Sequence, residues 1–94
     1  MKLKKQHKEI LKSVIKNKGI YRTRLIPVED RDNIFDSLFE LYMAEILQFS
    51  KKSELEFEGP YKQPRYKCFE VKPWPKVKLD DLKKAVRKGE YAQV

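Results

Sequence analysis

The sequence predicts a small α+β domain, and three observations carry that prediction. An apolar repeat of helical period runs from Leu3 to Ile15, and a second, wider one runs from Ile34 to Phe49. Between Glu54 and Glu58 the pattern switches to strict alternation, and a second, less regularly alternating apolar run follows after a loop rich in Gly and Pro. The chain has 94 residues, which fit one domain covering 1–94. A domain of this size buries only about 60–65% of its unfolded surface, so its core is modest and a second subunit would add to it.

Taken in order, Leu3, His7, Ile10, Leu11, Val14 and Ile15 form the apolar face of the first helix, and Asn17-Lys18-Gly19 is its stop signal. Its other face carries Lys4, Lys5, Lys8, Lys12 and Lys16. Ile20 to Ile26 reads two ways: Ile20-Tyr21 can open a short strand, or Thr23 can cap a short helix ended by Pro27. Asp30 or Asp32 is the expected N-cap of the next helix, whose apolar surface of Ile34, Phe35, Leu38, Phe39, Leu41, Tyr42, Ile46, Leu47 and Phe49 is unusually broad. Such a helix is central to the core or shared with a second subunit.

Leu55 and Phe57 alternating with Glu54, Glu56 and Glu58 predict a half-exposed strand. Residues 59–64 form a loop, and a second strand of less regular alternation leads to Val71. Pro73-Trp74-Pro75 ends the sheet. A last helix of about residues 79–89 buries Leu79, Leu82 and Val86 and stops at Gly89. Trp74 is expected to pin the hairpin to this helix or to anchor an interface.

Charge is sorted into blocks. Residues 1–28 hold nine Lys/Arg against one acid, residues 29–58 three against nine, and residues 59–94 ten against four, for a net +8. Segregation on this scale makes fields of opposite sign on different surfaces, and the basic fields attract polyanions. Cys68 is the only cysteine, so an intrachain disulfide is excluded and a cytoplasmic location is expected. No apolar run approaches the roughly 20 residues that cross a bilayer, so no membrane partner is expected.

With Ile10–Gly19 as first helix, Tyr21–Ile26 as second, Asp32–Phe49 as third and Glu54–Lys72 as a hairpin with a basic tip, the element order resembles a winged helix-turn-helix domain. The MarR- and PadR-like regulators are the nearest relatives by that order, which is not accompanied by a diagnostic motif. The resemblance implies three N-terminal helices, a wing of about 54–72 and a C-terminal helix. It further implies a third helix entering the major groove, a wing touching the neighbouring backbone, and a homodimer often built by the terminal helix. The expected partner is double-stranded DNA, and the expected role is a small transcriptional regulator or a DNA-organising or partition adaptor.

The residues that would carry this are Lys62, Arg65 and Lys67 on the wing, which can neutralise phosphates, with Tyr61 and Gln63 adding hydrogen bonds. Arg22 and Arg24 can grip backbone or guanine. Arg31, Asn33 and Ser37 near the start of the third helix can read bases. Lys12 and Lys16, with Lys5 and Lys8, form a stripe that can lie along a phosphate backbone. Each of these also fits a plain solvated surface. Against the resemblance, Asp32, Asp36 and Glu40 place acid on the helix that would face DNA. Either that stripe points away from DNA or another element is the reader.

Two further readings compete. The acidic aromatic centre suits a protein–protein adaptor or inhibitor. Glu58 followed by Glu70-Val71-Lys72 resembles the short acid…acid-x-Lys pattern in which metal-dependent nucleases hold a cation, but cross-strand salt bridging on an exposed face is the favoured explanation of it. Otherwise the sequence shows no catalytic machinery, so an enzyme is not expected, and no metal or cofactor is called for. His7 is expected as a packing residue and Cys68 as a small hydrophobe.

Overall fold

The computed structural model describes residues 1–22, 28–50, 54–58, 60 and 63–91. The chain runs α1 (Lys5–Lys16), β1 (Tyr21–Arg22), α2 (Val28–Met43), β2 (Leu47–Phe49), β3 (Glu54–Glu58), β4 (Gln63–Cys68), β5 (Glu70–Pro73) and α3 (Leu79–Lys88). β1, β5 and β2 form a three-stranded antiparallel sheet in that spatial order, and β3 and β4 pair as a separate antiparallel hairpin. The fold is α+β, as expected.

α1 forms because its apolar residues recur at helical spacing, and it buries His7, Ile10, Leu11 and Val14. At its start, the backbone N–H of Lys4 donates to Nδ1 of His7 at 3.0 Å, satisfying one of the helix's orphan donors. At its end Lys18 N–H donates to Ile15 O and Gly19 N–H to Val14 O, closing a Schellman turn. α3 ends on a left-handed Gly89 at φ 74°, where the N–H groups of Gly89 and Glu90 both donate to Ala85 O. Asp81 reaches back to accept from the backbone N–H of Lys78 at 3.0 Å, which fixes the start of α3.

The core joins Ile10, Leu11 and Val14 of α1 to Leu38 and Leu41 of α2. Ile46 and Leu47, Phe69 and Val71, and Leu82 and Ala85 of α3 complete it. Residues at the two ends of the described chain meet: Leu3 N–H donates to Gly89 O and Tyr91 N–H to Met1 O. Buried Leu3 sits under this clasp. α1 therefore starts where α3 ends.

Four expectations are corrected. The central helix was expected over Asp32–Phe49, but α2 covers Val28–Met43 and Leu47–Phe49 is a strand. Glu45 takes left-handed backbone at φ 59°, Ile46 N–H donates to Leu41 O, and Ile46 and Leu41 are both buried. That Schellman stop works without glycine. Asp30 and Asp32 consequently lie within the helix rather than capping it. Tyr21–Arg22, expected as the start of a second helix, is a strand edge paired with Val71 and Glu70. Ile20-Tyr21 as a strand opening was the other reading, and residues 23–27 lie outside the described ones. The expected wing of 54–72 is divided, because β5 leaves β4 at Phe69 and pairs with β1 and β2 instead.

Candidate nucleic-acid interface

The outward face of α1 exposes Lys5, Lys12 and Lys16, with Glu9 beside them. α3 exposes Lys83, Lys84, Arg87 and Lys88. These bases on α3 were not singled out from the sequence, although their spacing repeats the lysine pattern of α1. Because Leu3 is bonded to Gly89, the first turn of α1 abuts the last turn of α3. Lys4, Lys5 and Lys8 in the first turns of α1 thereby lie at the same end of the helix pair as Arg87 and Lys88 in the last turn of α3, where exposed Glu90 also lies. Lys8 lies closest, its ammonium end over Gly89, where the carbonyl end of α3 favours positive charge. Among the described residues none of these five bases is in an ion pair.

Arg22 is held differently. Its Nε donates to Glu70 Oε2 at 2.6 Å across the β1–β5 ladder, while Ser50 Oγ donates to Glu70 Oε1 at 2.8 Å. Glu70 is buried and Arg22 remains largely exposed, so a guanidinium fixed along one edge stands at the rim of the sheet.

α2 separates its residues by direction. Asn33, Asp36 and Glu40 are exposed, and Glu40 Oε2 stands 3.5 Å from His7 Nε2. Ser37, expected as a base reader, is buried and donates from its hydroxyl to Gln6 Oε1 at 3.1 Å, so it serves the α1–α2 contact. Arg31 lies in the first turns of α2. Arg65 and Lys67 lie on β4, where Arg65 is in register with Glu56. Arg24, Tyr61 and Lys62 lie outside the described residues.

His7 packs in the core, as expected, at 1% exposure. Burial lowers the pKa of its imidazole, with Glu40 acting against that and Lys4 adding to it. Its Nε2 is buried without a hydrogen-bond partner among the described residues.

The pattern that suggested a nuclease is not assembled. Glu58 is in register with Gln63 at the far end of the hairpin, and Glu70 lies beyond the other end of β4. The five residue steps of β4 alone span about 16 Å of extended chain, too far for two carboxylates to share a cation.

On the side of α2 toward the sheet, Phe35, Phe39, Tyr42 and Phe49 form a chain of ring contacts with centroids 5.6–6.3 Å apart. Phe35 also stacks on buried Phe69 at 5.5 Å. These rings, with Gln48 and Trp74, line an open cleft of about 430 Å³. No helix among the described residues is long and apolar enough to cross a membrane. Comparison of the chain with protein-family models, with curated proteins and with solved structures gives no match.

Proposed function

We propose that this chain is a small DNA-binding protein of winged-helix type, acting as a regulator or as a DNA-organising adaptor. The observation that carries the reading is the group of Lys4, Lys5, Lys8, Arg87 and Lys88, collected from two ends of the sequence and left without acidic partners among the described residues. A solvated helix face normally mixes signs, whereas phosphate binding rewards bases kept together. The helix–strand–helix order before the sheet and the hairpin that extends its strands fit a winged-helix layout.

The reading moves the main contact away from α2. Asp36 and Glu40 on its exposed face repel phosphate, and Ser37 is turned inward. The paired ends of α1 and α3 meet the backbone, Lys12 and Lys16 continue that track, and Arg22 adds an anchored guanidinium.

Anisotropy titrations with duplex DNA at two salt concentrations test it. Affinity should fall steeply with salt, with a log–log slope of about −0.9 per phosphate neutralised. The triple change Lys5→Glu, Arg87→Glu, Lys88→Glu should flatten that slope and weaken low-salt binding at least about tenfold. Unchanged binding by the triple variant would remove this surface from consideration.

A further inference from the structure

We infer that the aromatic face formed by α2, β2 and Trp74 is the contact between two copies of this chain, related by a two-fold axis. Phe39 is 46% exposed, Tyr42 40% and Met43 66%. Together they leave on the order of 300 Å² of contiguous apolar surface. An apolar centre of that size inside a polar rim is how an interface burying about 800 Å² per partner is usually made.

Met43 projects beside the open aromatic cleft of about 430 Å³, and Trp74 lines both that cleft and the neighbouring one that holds Met43 and Lys76. A two-fold axis sets the knob of each copy into the cleft of the other. The unbranched thioether suits an aromatic-walled recess.

Charge favours a second copy over an unrelated partner. Asp36 and Glu40 are exposed one turn apart on α2, where Glu40 stands near His7 of α1, while Lys76 is exposed in the recess beside Met43 and Trp74, which Lys84, Lys88, Glu45 and Asp81 also line. A two-fold axis through the aromatic centre brings the acidic rim of one copy opposite the basic rim of the other. Two chains of net +8 repel wherever their basic faces approach, and the α2 and β2 parts of this face come from the acidic stretch of the sequence.

The test is sedimentation of the full chain, without nucleic acid, across a concentration series. The expected result is a reversible dimer whose dissociation constant rises about tenfold or more in Met43→Glu, because the carboxylate would be buried in the partner's cleft. Met43 is exposed in the single chain, so the variant should keep its circular dichroism and melting temperature. Asp36→Lys and Lys76→Glu should each weaken the dimer, and the double variant should restore it. A chain that stays monomeric at several hundred micromolar overturns the inference, as does a dimer indifferent to Met43→Glu. Failure of the double variant to recover overturns the two-fold arrangement.

Discussion

Lys18 at φ 57° and Glu45 at φ 59° hold left-handed backbone at the ends of α1 and α2, a conformation in which a Cβ crowds the following carbonyl. Both helices stop there because the Schellman hydrogen bonds are satisfied and Ile46 packs on Leu41, not because the residue favours the turn. Lys18→Gly and Glu45→Gly should therefore each stabilise the fold by about 0.5–1 kcal/mol, additively, in urea denaturation. A destabilised single variant would show that the side chain compensates the strain. His7 supplies a second prediction. Its folded pKa lies below the ordinary 6.5, so the unfolded chain binds a proton that the folded chain refuses. The stability it contributes is complete above about pH 6.5 and is lost as pH falls through the lower folded value. His7→Gln keeps an acceptor for the Lys4 N–H and should remove that part of the pH dependence. An identical urea midpoint profile from pH 7.5 to 5 in both proteins would rule out His7 as its source.

At the scale of elements, α1 and α3 were legible because their apolar spacing, basic faces and glycine-containing stops all agree. α2 was legible as a helix but not in its length. Glu45 gives no sign of a stop, and Ile46, Leu47 and Phe49 continue the apolar spacing into what is a strand. The division of the long hairpin at Phe69 was hidden for a similar reason. Pairing of β5 with the distant Tyr21–Arg22 is a tertiary choice that no local pattern announces. The basic residues of the candidate site could be read, but their gathering could not, because it depends on the clasp between residues 1–3 and 89–91. That clasp can be tested. Leu3 is buried where the two ends meet, so Leu3→Ala should cost about 2–3 kcal/mol and loosen the backbone bonds at Gly89 and Tyr91. Faster amide exchange at Tyr91 should accompany the loss, and protection there equal to that of the unchanged chain would contradict the clasp.

For the whole molecule, what matters is that the basic helix ends and the aromatic face adjoin, since Met43 and Trp74 share a recess with Lys84 and Lys88, on a body measuring 43 × 23 × 23 Å. Association through the aromatic face leaves Lys4, Lys5, Lys8 and Arg87 of each copy outside that recess, so a dimer carries two phosphate-binding surfaces. A duplex of about 30 base pairs can meet both, whereas one of about 10 base pairs is short enough to engage only one. The second contact is then intramolecular, and the longer duplex should bind about a hundredfold more tightly, beyond its larger number of equivalent positions. Met43→Glu should erase that length advantage, with only the modest loss on the short duplex that a carboxylate beside Lys84 and Lys88 brings. The triple change in Lys5, Arg87 and Lys88 should weaken binding to both lengths. Equal loss on both duplexes in Met43→Glu would instead place the aromatic face against the nucleic acid, where exposed rings stack on bases and the neighbouring acids would have to be tolerated.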